Sequence, residues 1–220
     1  MAASSTDVVP LTQRLVDLAQ TFETGGSSNI VIRNSMLSAA AELTHCLISP
    51  EEHVLQQSAR AMEIFAIRTL LKTGVLGKLP AYDSIDLQSL AESAGIQRSM
   101  LERLLRFLAG TRFIHQAPDG QYSHTRFSRA YLGLPGDWFA GVLHDAVFST
   151  LVRYPEYLDA HPELVEPHSI THNPYTWHHG MEGTNTWDVM AASPERMARF
   201  QRGLGTVSYT HLTLPTNREV

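Results

Sequence analysis

Eleven histidines stand in this 220-residue chain, and their spacing is the first place to look for chemistry. His168 and His172 are four positions apart, and His178-His179 follow. A zinc site needs three or four ligands converging at about 2.0–2.3 Å. Pro167 and Pro174 argue against one helix aligning the first pair, adjacent histidines on a regular element point apart, and no cysteine or carboxylate cluster completes a set. The expectation is no metal, with imidazoles that face solvent or hold single hydrogen bonds. Cys46, the only cysteine, falls on a predicted helix, where a lone thiol is more often a small buried hydrophobe than a nucleophile. Gly25-Gly26 and Gly203-Leu204-Gly205 follow helical patterns. A nucleotide-cradling turn would instead follow a buried strand. The aromatic residues are stronger candidates: Trp187, Phe200 with Leu204 one turn on, and His144 and Phe148 on a preceding helix. Small-molecule pockets are mostly apolar and aromatic, with few polar groups. The competing reading is that all five are helix-core residues.

The elements that must position these residues are mostly helical. Leu11, Leu15, Leu18 and Phe22 mark an amphipathic helix, and Thr24-Gly25-Gly26-Ser27-Ser28 breaks the chain. A second helix covers about 29–47, with Met36, Leu37, Ala40, Leu43 and Leu47 as its apolar set. Ser49-Pro50-Glu51-Glu52 predicts a capped start, with Ser as cap, Pro at the first helical position and Glu52 closing a capping box. The helix that follows carries Val54, Leu55, Ala59, Met62, Ala66 and Leu70, and Gly74, Gly77 and Pro80 end it. Next, Leu87, Leu90, Ala91 and Ala94 form one helical face, and Leu101, Leu104, Leu105 and Leu108 another. Strands at 113–116 and 121–124 flank the turn signal Pro118-Asp119-Gly120. Helix, turn, helix and ribbon make a winged helix. Beyond it, Leu134-Pro135-Gly136-Asp137 predicts a turn and 138–154 one apolar helix with Trp138, Val142, Ala146 and Val152 in the core. An irregular connector punctuated by Pro155, Pro162, Pro167 and Pro174 follows. Thr184 caps a helix to about Met190, and Ser193-Pro194-Glu195 starts a last one.

A winged helix often reads DNA, and then its second helix shows a basic face. Here Met100 and Phe107 widen the apolar surface, Glu102 sits among Arg98, Arg103 and Arg106, and the ribbon tip carries Asp119 without Lys or Arg. Affinity for DNA depends on phosphate contacts from a basic surface. A protein-packing role fits better, with a winged-helix transcriptional regulator as the alternative. The net charge of −5 points away from nucleic acid and anionic membranes. A hydrophobic fraction of 43% supports a packed core. The start, MAASSTDVV, lacks the charged and apolar regions of a secretory signal. No stretch approaches the roughly 20 apolar residues of a membrane span. One cysteine precludes an internal disulfide and fits a reducing, cytoplasmic compartment.

The winged unit, then Trp138-Phe139-Ala140-Gly141, His179-Gly180, Trp187 and the run SPERMARFQRGLGT, resembles the N-terminal half of a fungal SAM-dependent O-methyltransferase. The wider group is the plant caffeate and flavonoid type. The similarity covers about Leu11 to Thr206. It implies a mainly α fold with a small β-ribbon: dimerisation helices at 1–80, a winged helix at 81–133 and substrate-lid helices at 134–206. It also implies homodimerisation through the first two regions. In the family a doubly wound α/β domain follows, holding S-adenosylmethionine and the general-base histidine. That Rossmann-like catalytic domain is missing from this chain, so the resemblance implies no cofactor bound by the chain itself and no methyl transfer by it alone. An aromatic matching Trp187 and a Phe matching Phe200 line the acceptor and cofactor cavity in similar enzymes. A Met commonly stands where this chain has Leu204, and His144 and Phe148 approach the same cavity. The implied acceptor is a small phenolic or aromatic metabolite. Residues 207–220 depart from the family and read as a translated vector tail; a native C-terminal strand is the alternative. A free-standing dimerisation module that captures full-length relatives is a further reading.

Overall fold

The computed structural model describes residues 8–25, 29–163 and 169–211, with side chains as far as 205. His168 and the tail residues 212–220 lie outside the described residues; the backbone of 207–211 continues the last helix. The chain divides into two compact units, Met1–Met62 and Glu63–Val220.

In the first unit, α1 (Val8–Thr24) packs against α2 (Ile30–Leu47), and α3 (Pro50–Lys72) begins. Asn29 starts α2 by accepting from the Val31 and Ile32 amides. The Ser49 capping box forms as its sequence predicts: the Glu52 amide donates to Ser49 Oγ at 3.1 Å and the Ser49 amide donates to Glu52 Oε2 at 2.9 Å. Only Ala39 of α1 and α2 is buried. Leu37, Leu47, Val54, Leu55 and Met62 are exposed, although the sequence assigns them to apolar faces.

The second unit is built on the winged helix. The last part of α3 supplies Ala66, Ile67 and Leu70, and α4 (Val75–Lys78) supplies Val75 and Leu76. α5 (Leu87–Ala94) adds Leu87, Leu90 and Ala91, and α6 (Arg98–Gly110) adds Leu101, Leu105 and Leu108. Asp86 caps α5 through the Ser89 amide, and Gly95 closes it at φ 64°, where a Cβ would be strained. β1 (Ile114–Gln116) and β2 (Tyr122–His124) pair antiparallel with Ile114 opposite His124, and Ile85 bridges to Tyr122 as a further edge. Ile114 and Tyr122 turn into the same core.

α7 (Arg126–Ala130), capped by Thr125, leads to α8 (Leu134–Asp137), a single helical turn where the sequence suggests a bend. The predicted helix over 138–154 is a correction. Trp138–Phe148 is wound as a π-helix, continues through α9 (Ser149–Leu151), and breaks before α10 (Tyr154–Ala160). Pro155 lies in the first turn of α10, where its missing N–H costs nothing, so it starts a helix instead of disrupting one. Val152 is exposed, and Phe139 and Ala140 take the core positions. The expected irregular connector also contains α11 (Pro174–His178), capped by Asn173. The cap of α12 (Thr186–Ala191) is Asn185, whose carbonyl accepts from the Trp187 amide, and not Thr184. α13 (Pro194–His211) completes the described chain. No helix among the described residues is long and apolar enough to cross a membrane.

Candidate functional site

Four of the five candidates lie on the π-helix and α13, which pack together, and Trp187 lies on α12. Two glycines make that packing close. A Cβ on Gly141 would stand 2.6 Å from the Arg199 backbone, and one on Gly203 would stand 2.9 Å from Trp138 Cα. Thus Gly203 serves helix packing, and the Gly203-Leu204-Gly205 run lies within a helix. No strand leading into a Gly-rich turn and helix occurs among the described residues.

Trp187 on α12 and Phe200 on α13 meet edge to face, with ring centroids 6.2 Å apart. Trp187 keeps 52% of its surface exposed and Leu204, one turn beyond Phe200, keeps 42%. This aromatic shelf is open to solvent in the described chain. The other two candidates are placed differently. His144 turns its ring to Phe65 at 6.3 Å and sets Nδ1 3.2 Å from Asp145 Oδ1. Phe148 is half-buried further along the π-helix. The structure therefore joins Trp187 with Phe200, and directs His144 toward α3. A cleft of about 390 Å³ opens nearby, lined by Arg68, Tyr131, Asp137, Glu195 and Arg199 among others, and none of the five candidates lines it.

Sequence reasoning missed the polar knot behind this site. Asp145 accepts from Arg68 Nη2 at 3.1 Å, Arg199 Nε at 3.0 Å and Arg199 Nη2 at 2.8 Å. Burial raises the Asp145 pKa, but the hydrogen bonds and charge of Arg68, then the bonds of Arg199 and His144, outweigh it and hold the carboxyl below its ordinary value. Signals were present: Asp145 is the only charged residue in WFAGVLHDAVF, and Arg68 stands within the apolar run IFAIRTLL. A charge in such surroundings needs a partner.

The histidines also differ from expectation. His178 closes α11 and His179 caps it, so the two rings meet at 4.8 Å instead of pointing apart. Both are half-buried. His172 is exposed and bonds Thr171 Oγ1 at 2.9 Å. Among the described residues no group of three His, Cys, Asp or Glu is placed to hold a metal. Cys46 is half-buried on α2.

The fold thus defines a class: a helical scaffold carrying a winged helix whose exposed surface is mixed in charge. On α6, Met100 is exposed beside Arg103 and Arg106, and nothing in this geometry favours a DNA-reading role. Residues 56–133 match the model of the O-methyltransferase dimerisation domain family. The O-methyltransferase kntB of Aspergillus niger is 29% identical over 86% of this chain and 46% of its own length. The O-methyltransferase afvC of Aspergillus flavus is 27% identical over 84% of this chain and 45% of its own. The chain spans about half the length of the curated relatives it matches. Its fold is that of OxaC, solved in complex with SAH and oxaline, at TM-score 0.77 and 21% identity over 89% of this chain and 50% of that one. LepI, solved in complex with SAM, matches at TM-score 0.74 and 19% identity over 92% of this chain and 50% of LepI.

Proposed function

We propose that this chain is the dimerisation and substrate-lid portion of an O-methyltransferase. The complete enzyme moves a methyl group from S-adenosylmethionine to a hydroxyl on a small phenolic or aromatic metabolite. The observation that carries this reading is the dimerisation-domain match over 56–133. The likeness to OxaC and LepI, which extends through the lid helices, supports the same fold assignment. Two copies associate through the N-terminal helices and the winged unit. Trp187 and Phe200 form one wall of the acceptor pocket, Leu204 extends it, and His144 and Phe148 border it from the π-helix.

The chemistry of such a reaction is proximity plus deprotonation of the acceptor. The lid residues contribute an apolar face that orients an aromatic acceptor and excludes water. In this reading the general base belongs to the catalytic domain of the full-length enzyme, while His144 contacts Asp145 and Phe65. S-adenosylmethionine belongs to the full-length enzyme, and the described residues supply no cradle for it. A cytoplasmic location is part of this proposal and rests on the single cysteine, which suits a reducing compartment. Calorimetric titration of the purified chain with S-adenosylmethionine tests the division of labour. No heat of binding is expected, and micromolar binding would overturn it.

A further inference from the structure

One turn before Phe200, on the same face of α13, stands Arg196. Its Nη1 lies 3.0 Å from Nε2 and 3.2 Å from Nδ1 of His179, and its Nη2 reaches the Val189 carbonyl at 3.3 Å. A neutral imidazole has one acceptor nitrogen, so only one of the His179 contacts is a hydrogen bond. Arg196 Nε is buried and has no partner. Tyr175 OH and His178 Nδ1 are in the same condition. Both rings crowd His179, with centroids 4.6 Å and 4.8 Å from it. Burial, then the charges of Arg196 and His178, push the His179 pKa down to about 4, so this neighbour carries no charge at neutral pH. Three residues on, Arg199 shows the usual arrangement, with Nε and Nη2 both on a carboxylate. No carboxylate among the described residues does the same for Arg196. Buried polar atoms without partners, here Arg196 Nε with Tyr175 OH and His178 Nδ1, point to a partner that is absent.

We propose that Arg196, with Tyr175 and His178 around the His179 ring, binds a carboxylate on the small molecule whose aromatic ring lies against Trp187 and Phe200. Nε and Nη2 form the guanidinium edge that takes a carboxylate through two parallel hydrogen bonds. Nε is unpartnered, and Nη2 is held only by the long bond to Val189. Tyr175 OH and the His178 ring supply the remaining donors. The acceptor is therefore an aromatic acid, its ring on the shelf and its anion one helical turn away. The His179 ring leaves Nη1 as the anion enters. This deepens the pocket reading of Trp187 and Phe200 and rests on it.

The test is a titration of the purified chain with 2-hydroxybenzoate and with its uncharged amide, followed by calorimetry and by imidazole nitrogen NMR. The acid is expected to bind about tenfold more tightly, the scale of one charge-assisted bidentate contact. It should also shift the His178 and His179 resonances. Arg196→Gln should erase the preference by weakening the acid more than the amide, and Phe200→Ala should weaken both probes alike. Equal binding of acid and amide, a preference that survives Arg196→Gln, or binding of neither probe overturns the anion site. Equal binding with dependence on Phe200 retained would leave the aromatic pocket standing without it. A preference lost in Arg196→Gln but insensitive to Phe200→Ala supports the anion site and sinks the aromatic pocket. Thermal melting guards against a purely structural arginine. Arg196→Gln removes an unpartnered buried Nε, so its melting temperature should stay at or above the parent's, and a marked fall counts against the proposal.

Discussion

Arg112 adopts φ 63°, the only positive φ outside glycine among the described residues. It follows α6, and its amide donates to the Ala109 carbonyl at 3.0 Å while Phe113 N–H reaches back to Leu108 O at 2.9 Å. This is the position where a helix end favours glycine, because an L side chain there crowds the carbonyl and costs about 1–2 kcal/mol. Arg112→Gly should relieve that strain, with part of the gain offset by greater freedom of the unfolded chain. The net is about 0.5–1 kcal/mol, read as a melting temperature higher by roughly 2 °C. His179 gives a second residue-scale expectation. Its folded pKa of about 4 lies below the ordinary 6.5. Above pH 6.5 the ring is neutral in both states and contributes nothing to the pH dependence. As pH falls from 6.5 to 4 the unfolded chain gains a proton that the folded chain refuses, so stability is lost across that window. Partial exposure screens the effect to on the order of 1–2 kcal/mol. Melting curves between pH 7 and 4 should show the decline, and His179→Gln should flatten it. Asp145 acts lower, because its carboxyl is held below the ordinary 3.8, and its contribution disappears only as pH falls through that depressed value.

At the scale of elements, the π-helix and α13 depend on two glycines and one carboxylate. Gly141→Ala or Gly203→Ala sets a methyl against backbone at 2.6–2.9 Å. Neither backbone can yield without separating the helices, so each change should cost about 1–3 kcal/mol. Gly205→Ala, with nothing within 4 Å, is the matched control and should gain up to about 1 kcal/mol of helix propensity. Asp145→Asn removes the negative charge shared by Arg68 and Arg199 and replaces one of its two acceptor oxygens with a donor, at a cost of about 3 kcal/mol. Denaturant melts of these four variants rank the contributions. This crossing also marks the limit of legibility in the sequence. Leu101, Leu105 and Leu108 were readable because burial of a helix face repeats every three or four residues, and Ser49 because its cap partner lies three residues on. The Asp145 knot joins positions 68, 145 and 199, and no local period connects them. The π winding of Trp138–Phe148 was hidden for a related reason: an apolar run reads as a helix of either width. Trp187 and Phe200 were nameable as aromatic residues near a pocket, but their meeting depends on the α12–α13 turn. The orphaned atoms of Arg196, His178 and Tyr175 depend on packing from three elements.

For the whole molecule, the decisive property is what the first unit leaves uncovered. Leu37, Leu47, Val54, Leu55 and Met62 lie on α2 and α3 with more than half of each exposed. Soluble monomers seldom show contiguous apolar surface beyond a few hundred Å², and burying it is where most helix stability comes from. The proposed homodimer would cover these faces, and the dimerisation-domain match begins at residue 56 on α3. In the proposed homodimer a second copy would supply matching apolar faces by symmetry, and a stable interface of this kind buries on the order of 1,600 Å² or more. Sedimentation equilibrium of the purified chain should give twice the mass of 24.5 kDa at micromolar concentration. Leu55→Asp places a carboxylate on a surface that is 69% exposed in one copy, so it should not unfold the protomer, yet it should raise the dimer dissociation constant at least about tenfold. The same change at Val9, on α1, 73% exposed and away from the α2–α3 set, should have a smaller effect. A chain that sediments as a monomer at all concentrations, with Leu55→Asp indistinguishable from the parent, would mean that these faces are not joined to each other.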